Sequence, residues 1–237
     1  MSDTLNVQLG STSAGASAPG PSVPDAPDAS DAPDAPEWPE LVLPAGAEEQ
    51  PDGSVLLTLD YPVTIRFRGG KGAAETIRSL SLHRLTGADV HRFFAVNERR
   101  LAGVSLAAAT GMAPSRVAMI VKLMDASDLN AANAVVSALL DMGDGLPERA
   151  EVTDTGVVLP LLVPTADRAE LTFRRLTGGD LEAAASTKDS IALIVSRVFA
   201  MTPKEAREML DEMDGADAVG VVRVVGFLSG NGRVTGR

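Results

Sequence analysis

The chain repeats itself, and that limits what it can fold into more than any other feature of the sequence. The eleven residues from Leu80 to Val90 match those from Leu171 to Leu181 at six positions. Leu80, Arg84, Leu85, Thr86, Gly87 and Asp89 recur as Leu171, Arg175, Leu176, Thr177, Gly178 and Asp180. Further along, Met112 and Pro114 answer Met201 and Pro203, and Met124, Asp125 and Asp128 answer Met213, Asp214 and Asp217. Leu139 and Gly143 then stand opposite Leu228 and Gly232. The spacing is 91 residues in the first block and 89 afterwards, so one loop differs by two. The expected organisation is a tandem duplication of a unit of roughly 75 to 85 residues. The first copy runs over 54–145 and the second over 150–237.

What precedes the copies has a different composition. Residues 1–60 hold 11 Asp and Glu and no Lys or Arg, so residues 61–237 hold 21 of each sign and the net charge of −11 belongs to the N-terminal segment. Nine of the 15 prolines lie before residue 52, many in the near-repeat Pro24-Asp25-Ala26-Pro27-Asp28-Ala29. A segment with so little to bury does not offset its ordering entropy, about 1 kcal/mol or more per residue. Residues 1–53 are therefore expected to be a disordered, acidic, Pro-rich tail with extended character. Trp38 is its exception, either a short docking motif among acids or a ring resting loosely on the body or on nothing.

Each copy opens with β-type patterning. Val55–Leu59, Val63–Phe67 and Thr76–Leu82 are rich in β-branched residues and partly alternating, with Gly69, Gly70 and Gly72 in the intervening loop. The second copy has Val157–Val163, a turn at Pro164–Asp167, and Ala169–Arg174. Pro160 is expected to place its strand at an edge.

Helices follow, with chemically marked starts. Thr86 with Asp89, Thr177 with Asp180, and Thr202 with Glu205 have capping-box spacing, and Pro203 suits the first helical position. Asp125 and Asp214 are expected as caps, with Asp128 and Asp217 in the same role at the start of the last helix of each copy. Those last helices carry Leu129, Val136, Leu139 and Leu140 in one copy and Val221, Val222, Val225 and Leu228 in the other, at helical spacing. Gly87 and Gly178 fall in capping turns, and Gly143 and Gly232 fall where a positive-φ residue ends a helix. The expected fold class is α+β, with each unit a β-hairpin followed by three or four short helices.

Chemistry-bearing patterns are sparse. Arg68-Gly69-Gly70-Lys71-Gly72 lacks P-loop spacing and joins two strands. The only histidines, His83 and His91, are eight apart, expected on a strand and a helix, and no cysteine supplements them. No base is placed beside a nucleophile, so no catalytic, cofactor or metal residue is assigned. Arg84 and Arg175 precede a helix, where an ion pair or surface role outweighs anion binding. Zero cysteines exclude disulfides and suit an intracellular protein. No apolar run reaches the roughly 18 residues a membrane span needs, and Met1–Thr4 lacks a signal-peptide layout. A soluble, cytoplasmic protein without membrane or nucleic-acid partners is expected. The helix–turn–helix proportions of Met112–Leu140 raise a DNA-binding alternative. Against it, Asp128–Asp141 contains no Lys or Arg, and the matching helix offers only Arg223. Apolar helix faces and Met112, Met119, Met124 and Met142 leave two readings, packing of the copies on each other or a groove for a partner helix. The residues expected to face such a partner are Leu129, Val136, Leu140, Val222, Val225 and Leu228.

The order of hairpin, Leu-Thr-Gly-x-Asp helix start, Met-x-Pro helix and Met-Asp-x-x-Asp before an apolar helix resembles the phage tail assembly chaperones of the Mu-like and myophage E type. The resemblance covers about 55–143 and 157–232. His83 stands where the strand motif has Arg, Arg174 fits it, and two units stand where members commonly carry one. The resemblance implies a non-enzymatic assembly factor of the bacterial host cytoplasm, absent from the mature virion. It would keep the helical tape measure protein soluble and promote tail-tube assembly around it, with tail-tube protein or a second copy as further partners. In that family a longer product often arises by frameshifting. A structural tail or baseplate component retained in the virion is the alternative reading. For the acidic tail, charge repulsion suggests a solubilising role.

Overall fold

A computed structural model describes residues 40–66, 74–95, 98–165 and 167–230. Trp38, the Gly69–Gly72 loop, Gly232 and most of the expected tail lie outside the described residues. The fold is α+β, and the described residues form two three-stranded antiparallel sheets and eight helices.

The first sheet has the order β1 (Ala47–Glu49), β2 (Val55–Ile65), β3 (Glu75–Leu82). It is followed by α1 (Gly87–Ala95), α2 (Glu98–Thr110), α3 (Pro114–Leu123) and α4 (Ala126–Leu139). The second sheet has the order β4 (Glu151–Val152), β5 (Gly156–Thr165), β6 (Arg168–Arg174). Four more helices follow, α5 (Gly178–Ala185), α6 (Ser190–Val198), α7 (Pro203–Glu212) and α8 (Gly215–Gly230). Alternation decides which strand faces are buried. Val55, Leu57 and Leu59 on β2 and Val157, Leu159 and Leu161 on β5 point inward, joined by Leu80, Leu82, Leu171 and Phe173 from the neighbouring strands. Helix α4 covers β2, and α8 covers β5.

Three expectations change. The expected tail ends too late: Ala47–Glu49 pairs with Val55–Leu57, and Leu41 and Leu43 pack against the core. Three apolar side chains in that stretch have a core to reach, which composition counted over a long window conceals. Each hairpin is thus the larger part of a three-stranded sheet. Second, Pro160 lies on a central strand, not an edge strand. Its neighbour β4 reaches only Val157 and Val158, and the register with β6 shifts just past Pro160. The missing N–H therefore falls where no ladder requires it. Third, Val55–Ile65 is one strand, broken in register between Thr58 and Val63.

That break explains Asp128 and Asp217, which are not caps. Asp128 is 4% exposed and accepts the N–H groups of Asp60 and Tyr61 at 2.9 and 3.0 Å. Asp217, fully buried, accepts those of Leu162 and Val163 at 2.9 and 3.1 Å. A bulge frees two consecutive donors from the ladder, and each needs another acceptor. Each last helix supplies one carboxylate for both.

Candidate functional site

The helix starts are built as capping chemistry requires. Thr177 and Asp180 bond reciprocally, with Asp180 N–H donating to Thr177 Oγ1 at 3.3 Å and Thr177 N–H to Asp180 Oδ2 at 2.9 Å. Thr86 with Asp89 and Thr202 with Glu205 do the same. Asp125 accepts from Ser127 N–H, and Asp214 from Ala216 N–H. The Arg174 guanidinium, with the Thr177 amide, holds the Asp180 carboxyl far below the usual carboxylate range. The hydroxyl and amide of Ser127 lower that of Asp125, and the amide of Thr202 that of Glu205. Burial pushes the Asp217 carboxyl up, against the opposing pull of the Leu162 and Val163 amides and Arg149.

Gly87 and Gly178 lie inside their capping turns as expected, and Gly87 carries a further constraint. Gly87 belongs to a close approach, since a Cβ there would meet the Leu210 carbonyl oxygen at 1.7 Å. Gly143 does not end α4 with a positive φ; Asp141 does, at 49°, while Gly143 lies against Arg223. His83 is exposed just past β3, and His91 is exposed on α1. No group of metal-ligating side chains occurs among the described residues.

Arg84 clasps Asp214 through two hydrogen bonds of 3.0 Å, at a junction where α1 of the first half meets α7 and α8 of the second. Gly87 N–H donates to Met213 O at 2.8 Å, and Gly215 N–H to Leu85 O at 2.7 Å. Packing of the halves on each other is therefore present.

Open grooves are present too. One of about 460 Å³ lies between α1, α2 and α4, with Phe94, Leu101, Val136, Leu140 and Met142 among its walls. Another of about 520 Å³ lies between α5, α6 and α8, with Ile191, Ile194, Val222 and Val225. The two occupy matched places, since Val90, Phe93, Phe94, Asn133 and Val136 in the first correspond to Leu181, Ala184, Ala185, Val222 and Val225 in the second. No charged side chain lines either groove. Such walls offer no acid, base or anion site, and they suit an apolar helix face.

The six expected contact residues divide. Val136, Leu140 and Val225 are buried at 4, 1 and 2% exposure and form groove floors within the core, so their exposure as partner contacts is corrected. A stripe that is apolar at every core-facing turn is what its neighbouring elements cover first. Val222, Leu129 and Leu228 are half-buried, with Val222 in the second groove. The exposed apolar wall comes instead from Phe94, 60% exposed, with Met142 and Leu101. The adjacent pair Phe93-Phe94 was the legible signal, because neighbouring helical residues diverge by about 100° and cannot both face one core.

Arg223, the lone base of α8, donates to the carbonyls of Asp141, Gly145 and Leu146. Its guanidinium holds the connection between the halves. Among the described residues no single helix is long and apolar enough to cross a membrane. No family model matches this chain, and no curated protein or solved structure matches it significantly.

Proposed function

We propose that the chain is a non-enzymatic tail assembly chaperone that holds apolar helical segments of a tape measure protein and promotes tail-tube assembly around it. The observation that carries this reading is the pair of uncharged apolar grooves beside the last helices. The family resemblance stated from sequence supplies the client. In the same reading the chain is a tandem duplication, supported by the recurring sequence landmarks, the shared order of elements and the paired Asp128 and Asp217 bonds. It works in the bacterial host cytoplasm without cofactor, nucleic acid or membrane, and it leaves before the virion matures. The Pro- and Asp-rich N-terminal segment adds charge that keeps the client complex soluble.

The test is affinity capture of the full chain from cells assembling particles, beside a protein census of purified particles. Recovery of a very long helical protein, with this chain absent from particles, is expected. Fixed stoichiometry in the particles would instead make the chain a structural tail or baseplate component. A salt-sensitive DNA complex would restore the regulatory reading, against which Arg223 is already engaged with backbone carbonyls.

A further inference from the structure

The contact that joins the halves is made by two unlike surfaces. One is the start of α1, with Arg84, Leu85, Thr86 and Gly87; the other is the junction of α7 and α8, with Met213, Asp214 and Gly215. Each surface has a sequence-matched counterpart in the opposite half, Arg175–Gly178 at the start of α5 and Met124–Ala126 at the junction of α3 and α4. Helix α1 packs on α7 and α8, whereas α5 packs on its own α6 and reaches neither α3 nor α4 to a comparable degree. Each chain therefore makes this contact once and leaves one surface of each kind open.

The open surfaces are those of an unmade contact. Arg175 is exposed and forms no ion pair among the described residues. Asp125 is exposed, and its carboxylate accepts from the amide and hydroxyl of Ser127. Gly178 has open space where Gly87 meets Leu210. Met124 is half-buried where Met213 is 3% exposed. Beside this junction α3 exposes Met119 and Leu123, at 40 and 55%, where α7 has Glu208 and Glu212.

We propose that the protein associates head to tail. Arg175–Gly178 of one copy docks on Met124–Ala126 of the next, pairs Arg175 with Asp125, and repeats between chains the contact made within each. The charges are complementary, and the apolar surface around Leu181 on one side faces that around Leu129 and Leu123 on the other. The inference rests on reading the chain as two copies of one unit, and not on the identity of any client. A contact between unlike surfaces adds copies in one direction and yields a ring where the rotation closes or a filament where it does not.

The test is sedimentation velocity of the full chain over a wide concentration series. Arg175→Glu alone and Asp125→Arg alone are each expected to weaken association at least about ten-fold, because like charges then meet at the contact. An equimolar mixture of the two is expected to restore it, since each altered surface then faces the reversed charge on the other variant. Gly178→Ala is expected to weaken association with thermal unfolding unchanged. A chain that stays monomeric at every concentration overturns the proposal. So does assembly that is indifferent to these variants. Arg84→Glu, read by thermal unfolding, separates the outcomes: if it lowers the Tm while the chain stays monomeric, the internal contact stands and the intermolecular one falls. Client capture is read independently, so the chaperone reading survives or fails on its own measurement.

Discussion

Asp128 and Asp217 each satisfy two backbone donors with one side chain, and that economy makes them vulnerable. Asp128→Ala removes the acceptor of the Asp60 and Tyr61 N–H groups and is expected to cost about 2 kcal/mol, measured by urea unfolding. Asp217→Ala also removes a partner of Arg149 and is expected to cost somewhat more, about 4 kcal/mol. Asp180 makes a pH prediction. Its carboxyl is held below the unfolded value, so its contribution is complete above the unfolded pKa near 4 and is lost as the pH falls toward the folded pKa. The stability difference between the wild type and Asp180→Asn, followed by thermal unfolding, should be constant near neutrality and shrink steadily below about pH 4. Asp217 carries the opposite sign: burial raises its pKa, and the cost of its ionised form lifts as the pH falls through that value.

Among the elements, α1 carries both the internal contact and the outer groove, with Gly87 at its start and Phe94 two turns further on. Gly87 sits at the contact, with the Leu210 carbonyl where a Cβ would go. Gly87→Ala should separate α1 from α7 and cost about 3 kcal/mol or more, while Gly178→Ala, with nothing within 4 Å, should leave stability within about 1 kcal/mol. Differential scanning calorimetry of the pair checks both. Phe94 lies on the groove face and is 60% exposed. Phe94→Asp is expected to leave the Tm unchanged within about 2 °C and to reduce capture of a helical client at least ten-fold, as loss of a central aromatic anchor does. Helix starts were readable because a capping pair is local: Thr177 and Asp180 are three residues apart, and each satisfies the other's backbone. The role of Asp128 was not readable, because its partners are 67 and 68 residues away. Sequence spacing offers the same aspartate to a cap or to a distant bulge, and only the packed sheet decides.

At the scale of the whole molecule, the boundary between tail and body falls earlier than composition places it. A chain beginning at residue 40 keeps β1, Leu41 and Leu43, and one beginning at residue 54 loses them. The shorter chain is expected to unfold at least about 4 °C lower, because burying two leucines contributes on the order of 2 kcal/mol or more; circular dichroism melts of the two chains test this. Local patterning in the sequence set the α+β class, the strands on both sides of each turn, the helix starts and the charge asymmetry. All of these rest on period-2 or period-3.6 patterning, or on interactions between residues a few positions apart. Tertiary structure alone decided which apolar residues became core and which remained a surface. Val136 and Leu140 are as apolar as any docking residue, but neighbouring helices cover them, with Leu140 against Gly215 of α8, and the groove wall passed to Phe94 and Met142. It also decided that Arg84 meets Asp214, 130 residues away, while Arg175 and Asp125 are left without each other. Matched residues have equal chemistry, and a single chain has room to join the two halves through one such contact.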